Sequence, residues 1–464
     1  MVFTMDFDFI VVGGGSGGYA AARTALSHTN SVAIIDAAEK LGGLCILRGC
    51  MPSKTLIYVA EVLHRAQGGA NVGLEIPIAR PDMAAIAARK RSIIQGFADY
   101  RIEGLKSEKF ELFRSAARFV SSHELELADG SRLRGKKILI ATGSQVNFPP
   151  IPGLDEVPLW TSDDMLDLDF VPESVIVLGA GAVGCELAQF LRRIGSRVTM
   201  VQRGANVLTG FPADAARVVE QVFEDEGLEL FTNTSVEMVR QVGSEIEVTF
   251  QCHGETVHRR AAYCLNALGR RANTQSLDLE TAGVLTRPNG QIITDSFQLT
   301  SNPDIYAAGD CCGPHEIVHV AVHQGETAAR HAFGGKVQPI HYDHLIMIIF
   351  TDPQVATAGL SEEQLTMQGR PFLSASYPFD DHGKSILMEA THGFVRVTAD
   401  AKSGEILGAL IVGRDACELI HCFAVALTLG ASVFDMLRVQ WYHPTLSEII
   451  SYPLEELAEK LPPR

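Results

Sequence analysis

The chain has 464 residues, a formal net charge of -16 and 9 cysteines; one hydrophobic core stops growing near about 250–300 residues, so the length predicts several domains. The acidic balance, with no basic stripe or tail, argues against nucleic acid, and the N-terminus shows neither a charged leader with a cleavage site nor an apolar run long enough for a bilayer, so a soluble, cytoplasmic protein without a membrane partner is expected. An odd cysteine count without framework spacing suits a reducing compartment in which one bridge is catalytic.

The first predicted unit is a short apolar strand over 8–12, the turn Gly13-Gly14-Gly15-Ser16-Gly17-Gly18, an Ala-rich helix over 19–27 and a second strand ending on Asp36. In this pattern the first glycine permits a tight turn, the second lets the backbone approach a pyrophosphate, and the helix start offers it free N–H groups. A carboxylate at the end of the second strand suits the adenosine ribose.

Next comes Gly42-Gly43-Leu44-Cys45-Ile46-Leu47-Arg48-Gly49-Cys50-Met51-Pro52-Ser53-Lys54. On one regular helix, cysteines five apart would have Cα atoms about 8 Å apart with divergent side chains, beyond the roughly 7 Å limit for a disulfide. A Cys45–Cys50 bridge therefore requires a bent backbone, which Gly42, Gly43 and Gly49 allow, with Pro52 in the first turn of a following helix. Such a bridge at a helix start is easily reduced, and the pair is expected to cycle between disulfide and dithiol. Arg48 puts a charge in this loop, where it steers an anionic substrate, lowers a cysteine pKa or faces solvent.

After a helix over 83–105 and a Pro-rich break at 148–153, the same unit recurs. A strand over 174–178 leads into Gly179-Ala180-Gly181-Ala182-Val183-Gly184, a helix over 185–193 and a strand ending on Gln202. Gly13 to Asp36 and Gly179 to Gln202 both span 23 residues. Two dinucleotide turns and a dithiol imply an electron relay from a nicotinamide through a second dinucleotide, most simply FAD, to a disulfide. Farther on, Cys311 and Cys312 read as free thiols in a turn, and Cys417 and Cys422 as buried thiols on one helix over 416–427.

Four later segments complete the pattern: Ala141-Thr142-Gly143-Ser144, Asn266-Ala267-Leu268-Gly269-Arg270, Ala307-Ala308-Gly309-Asp310 and His443-Pro444-Thr445-Leu446-Ser447-Glu448. With the glycine units and the cysteine loop they resemble the pyridine nucleotide-disulfide oxidoreductases, from about Asp6 to the C-terminus. The resemblance implies an α/β fold: two Rossmann-like dinucleotide-binding domains, one for FAD and one for NAD, and a C-terminal α+β dimerisation domain. It places an FAD domain at 1–147, an NAD(P) domain at 148–271, a returning FAD segment at 272–340 and an interface domain at 341–464.

The resemblance also implies roles. Gly13, Gly15, Ser16, Gly18, Asp36, Gly43, Ala117, Thr142, Gly143, Gly309, Asp310 and His319 join the FAD side. Gly179, Gly181, Val183, Gly184, Gln202, Arg203, Val236 and Gly269 join the NAD side. Lys54 would lie near the flavin and pair with Glu186, and His443, oriented by Glu448, would serve as acid-base group for the neighbouring subunit of a homodimer. No metal is implied.

Met51-Pro52-Ser53-Lys54, Val318-His319-Val320-Ala321, Leu446-Ser447-Glu448 and the stretch Gly404-Glu405-Ile406-Leu407-Gly408-Ala409 are most similar to dihydrolipoamide dehydrogenases. Mercuric reductase is the weaker expectation, because the chain ends Lys460-Leu461-Pro462-Pro463-Arg464 without a cysteine pair. The expected reaction joins dihydrolipoamide, free or on a carrier protein, to NAD. NADP stays open, because Gln202 keeps hydrogen bonds to a ribose but does not repel a 2′-phosphate, which Arg203 could meet. The alternatives are an NAD(P)H-dependent reductase of a small disulfide, resembling glutathione reductase, and a lipoyl-carrier docking flavoprotein of low turnover.

Overall fold

The computed structural model describes residues 4–107 and 109–462; Pro463 and Arg464, part of the mercuric reductase comparison, lie outside them. The first sheet is built on β1 (Thr4–Val12), with α1 (Ser16–Ala25) and β2 (Val32–Ile35) after it. Next come α2 (Gly43–Arg48), α3 (Cys50–Gln67), the long α4 (Met83–Ser107), β3 (Glu111–Phe113), β4 (Ala117–Phe119), β5 (Glu124–Leu127) and β6 (Arg132–Ile140). β1 pairs in parallel with β2 on one side and with β6 on the other. Phe9, Ile10 and Val11 of β1 are fully buried, as a strand covered on both faces requires.

The chain leaves through β7 (Ser144–Val146) and α5 (Ser162–Leu166), and builds a second sheet. Here β8 (Ser174–Leu178), α6 (Ala182–Ile194), β9 (Arg197–Val201), α7 (Ala213–Asp225) and β10 (Glu229–Phe231) precede an antiparallel trio. That trio is β11 (Thr234–Val242), β12 (Glu245–Cys252) and β13 (Glu255–Ala261), and β14 (Tyr263–Asn266) then completes the parallel order β10-β9-β8-β14. β15 (Arg270–Ala272) pairs antiparallel with β7, so the exit and return strands form one ribbon. β16 (Ile305–Ala307) rejoins the first sheet against β6, and α8 (Val318–Ala332) packs on α1. A Cβ on Gly325 would meet the Gly17 carbonyl oxygen at 2.2 Å, so these helices touch backbone to backbone.

The last sheet is antiparallel: β17 (Ile346–Ile349), β18 (Gln354–Gly359), β19 (Phe372–Pro378), β20 (Phe394–Asp400) and β21 (Ile406–Gly413), in the order β17-β18-β21-β20-β19. The α/β class, with two doubly wound units and an α+β C-terminal portion, is the expected one. Cys311 and Cys312 are free and occupy a turn, but they are wholly buried, each Sγ donating to backbone carbonyls.

The helix expected over 416–427 is corrected. It breaks at Ile420 into Ala416–Leu419 and His421–Leu429, and Cys417 and Cys422 are half-buried. Phe423, Ala426 and Leu427 pack inward while Val425 and Leu429 are exposed, so this apolar stretch covers more than one face.

Candidate active site

Both glycine turns are built alike. Gly13 and Gly179 have φ of 110° and 96°. A Cβ on Gly18 would meet the Gly13 carbonyl oxygen at 1.9 Å, and one on Gly184 would meet that of Gly179 at 2.1 Å, so each helix start lies against its strand end. Gly15 and Gly181 are different: a Cβ there meets nothing within 4 Å. These two glycines face open space at the starts of α1 and α6, the side from which a pyrophosphate reaches free N–H groups.

The residues closing the turns diverge. Asp36 accepts from Gly14 N–H at 3.0 Å through Oδ2 and from Ala38 N–H at 2.8 Å through Oδ1. Gln202 accepts from Ala180 N–H at 3.1 Å through Oε1. Its Nε2 donates to the Asn206 carbonyl at 3.1 Å and to Thr209 Oγ1 at 3.0 Å. Both amide protons of Gln202 are thus spent inside the chain. Arg203 beside it is exposed.

The cysteine loop lies on the first turn, because a Cβ on Gly43 would meet Gly15 Cα at 2.9 Å. Gly42 and Gly43 have φ of 146° and 77°, which glycine alone adopts easily. The loop is itself the short helix α2, and Gly49 at φ -133°, ψ -119° breaks it from α3. Cys45 and Cys50 thus sit on two helices that meet at an angle. Both are free thiols here, the reduced form of the pair expected to cycle, and each shifts the other. The Cys45 thiol, helped by the nearby Lys54 charge and opposed by burial, pulls the Cys50 thiol down to about 6. Cys50, with burial, pushes Cys45 up. Arg48 is largely exposed and its Nη1 donates to Asp163 of α5 at 3.2 Å, so it ties the loop to the segment leading to the second sheet.

Lys54 Nζ meets Glu186 Oε2 at 2.6 Å, with Glu186 only 6% exposed. The other oxygen, Oε1, accepts from Phe350 N–H at 2.9 Å, and Lys54 Nζ lies 4.6 Å from the Phe350 ring centre. One carboxylate therefore joins α3, α6 and the end of β17. Burying it without these partners would be costly.

On the return side, Asp310 accepts from Ser144 Oγ at 2.6 Å, and Arg270 Nε donates to the same hydroxyl at 2.7 Å. Gly309 N–H donates to Gln324 Oε1 at 2.7 Å. Thr142 Oγ1, next to Gly143, is buried without a hydrogen-bond partner. Ser16 opens α1, Ala117 lies in β4, Val236 in β11 and Val183 in the exposed first turn of α6. Gly269 accepts from Asn147 N–H at 3.0 Å. His319 is at the start of α8, its pKa lowered by burial and by the charge of His421.

His443 Nδ1 lies 2.8 Å from Glu448 Oε1, and its side chain is 74% exposed. The structure brings Cys45, Cys50, Lys54 and Glu186 together; His443 is not among the groups acting on either thiol of its own chain.

Residues 7–325 match the family model described as pyridine nucleotide-disulphide oxidoreductase. Residues 346–453 match its dimerisation domain. The chain belongs to the pyridine nucleotide-disulphide oxidoreductases. Within this family it is 32% identical over 444 residues to a mercuric reductase of Bacillus cereus, covering 96% of this chain and 70% of that protein. It is equally 32% identical, over 447 residues, to a dihydrolipoyl dehydrogenase of Chlamydia muridarum, covering 96% of this chain and 95% of that one. Among solved structures, LpdA from Mycobacterium tuberculosis superimposes with a TM-score of 0.87 at 28% identity, covering 98% of this chain and 99% of that one.

Family membership makes this a flavoprotein disulfide oxidoreductase that binds FAD and NAD(P). The open space before Gly15 and Gly181 and the unpartnered Thr142 hydroxyl fit two such dinucleotides. The match to the dimerisation domain supports a homodimer. Among the described residues no helix is long and apolar enough to cross a membrane, and no group of three or more His, Cys, Asp or Glu could hold a metal ion.

Sequence reasoning missed Phe350, Gln324 and Asp163, and met Arg270 only as the end of a motif. Each contributes through a contact with a distant part of the chain, which no local motif signals.

Proposed function

We propose that the chain oxidises dihydrolipoamide with NAD+, through dithiol–disulfide exchange at Cys45 and Cys50. The observation that carries this reading is the free thiol pair, Cys50 held down to about 6, set on the first dinucleotide turn by Gly43. In the oxidised pair, a substrate sulfur attacks Cys45 Sγ, the Cys45–Cys50 bond breaks, and Cys50 leaves as the thiolate that the Lys54 charge favours. His443 of the partner subunit, held by Glu448, takes the proton of the attacking thiol. The second substrate sulfur then displaces Cys45, and lipoamide leaves with its own disulfide formed.

FAD, held beside the pair, would supply the two-electron carrier between the cysteines and NAD+. Overall, dihydrolipoamide and NAD+ give lipoamide, NADH and a proton. The Gly13–Gly18 turn, Asp36, Thr142 and Asp310 would hold FAD, and the Gly179–Gly184 turn with Val183 would hold the nicotinamide dinucleotide. NAD is the proposed partner because a single exposed Arg203 is a thin 2′-phosphate site.

The test is steady-state turnover of dihydrolipoamide with NAD+ by the purified flavoprotein. Turnover is expected, falling more than about a thousandfold in Cys50→Ser. Absence of turnover in the parent protein, with NAD(P)H still oxidised by another disulfide, would overturn the dihydrolipoamide assignment.

A further inference from the structure

The loop that carries Asp310 is held from behind by a side chain that no step of the proposed reaction uses. Gln324 of α8 is completely buried. Its Oε1 accepts from Gly309 N–H at 2.7 Å, and its Nε2 donates to the Gly313 carbonyl at 2.9 Å and to the Tyr342 hydroxyl oxygen at 2.8 Å. A backbone N–H only donates and a carbonyl only accepts, so these partners fix the amide in one orientation. One side chain thus holds both ends of the 309–313 loop, with Asp310 between them. The loop is itself a tight turn, closed by Cys312 N–H and Gly313 N–H, which donate to the Gly309 carbonyl at 3.0 and 3.1 Å.

The same helix meets the first glycine turn. A Cβ on Gly17 would lie 2.8 Å from the Ala321 carbonyl oxygen, so α8 sets the distance between the two loops that FAD would span. Tyr342 carries the hold farther. It stands just ahead of β17; its carbonyl accepts from Leu345 N–H at 3.0 Å, and the Leu345 carbonyl accepts from Gly359 N–H of β18 at 3.0 Å. Its ring also meets His315 edge-on, with centres 5.0 Å apart, so the C-terminal sheet reaches the far end of the loop by two routes.

Burying an amide is costly unless it is paired, and an apolar side chain would fill this place in an Ala-rich helix at less cost. Three bonds to one loop and its neighbour therefore mark a loop that has to be placed. We propose that Gln324 is a positioning residue for FAD: it keeps Asp310 in register with the Gly13–Gly18 turn and, through Tyr342, makes that hold depend on the C-terminal dimerisation domain. The inference concerns FAD and stands whichever dithiol the enzyme oxidises.

The test is the rate at which the holoenzyme releases FAD, measured by spin filtration and flavin absorbance. Gln324→Met keeps the length of the side chain and removes its amide; release is expected to be about tenfold faster, because Gly309 N–H and the Gly313 carbonyl lose their partner. Tyr342→Phe removes a single oxygen and should speed release about fivefold, the size of one hydrogen bond. The Kd of the nicotinamide dinucleotide, bound at the second unit, should stay at the parental value in both. FAD release at the parental rate in either variant overturns the proposal, and Tyr342→Phe decides it where Gln324→Met does not fold. Equal weakening of FAD and of the nicotinamide dinucleotide would mark a general loosening of the fold and overturns it as well.

Discussion

Asp36 and Gln202 stand at the same place in two copies of one unit, and each accepts an N–H from the second residue of its glycine turn. Asp36 takes a further N–H from Ala38 and keeps a carboxylate at the site. Gln202 has no charge to offer and turns both amide protons inward, to Asn206 and Thr209. The turn thus needs an acceptor, whereas the charge on that acceptor is free to vary with the ligand. The segments that succeed the two units differ in the same way. After the first comes the cysteine loop, pressed onto Gly15; after the second, Arg203 and an open surface.

The glycines give the sharpest way to break this comparison. Gly184→Ala drives a Cβ into the Gly179 carbonyl and is expected to cost roughly 1–3 kcal/mol or more in denaturant unfolding. Gly181→Ala meets nothing in the fold, so its stability should stay within about 0.5 kcal/mol of the parent. Its KM for the nicotinamide dinucleotide should nevertheless rise about a hundredfold, equivalent to about 2.8 kcal/mol. Gly18→Ala and Gly15→Ala should repeat the contrast with FAD retention as the readout. Equal stability losses within either pair would refute the cradle.

A smaller effect separates the closing residues. Gln202→Glu places a carboxylate beside the ribose and should lower the NADPH-to-NADH ratio of kcat/KM about tenfold. Asp36→Asn keeps an acceptor for Gly14 N–H, so the turn should survive and FAD affinity should weaken modestly. If Gln202→Glu leaves the ratio unchanged, this position does not meet the ribose.

The smallest expected change concerns the ion pair that joins the two units. The Cys50 thiol is held down to about 6, so the reduced protein carries its thiolate above that pH and loses it as the pH falls through it. Lys54→Met removes a cation that favours the thiolate. The midpoint should move up by about one unit, measured by thiolate ultraviolet absorbance of the reduced protein across pH. A midpoint that stays or falls would remove Lys54 from the account.

Much of this was legible in the sequence because it is local. The 23-residue spacing of both units, the glycine positions and the break between Cys45 and Cys50 all follow from short-range geometry. Partners far apart in sequence were not readable from periodicity. Arg48 carried three open readings until its ion pair with Asp163, 115 residues away, appeared. The 416–427 stretch reads as one helix because its apolar residues hide the break at Ile420.

The placement of β16 has a consequence for synthesis on the ribosome. Residues 138–140 of β6 pair with residues 305–307, so the first sheet keeps an open edge while the whole of the second, from 174 to 266, is made. At about 5–20 residues per second the wait from 140 to 305 lasts roughly ten to thirty seconds. During that interval the emerging chain holds a complete later sheet and an incomplete earlier one, so the portion translated first is the one that closes second.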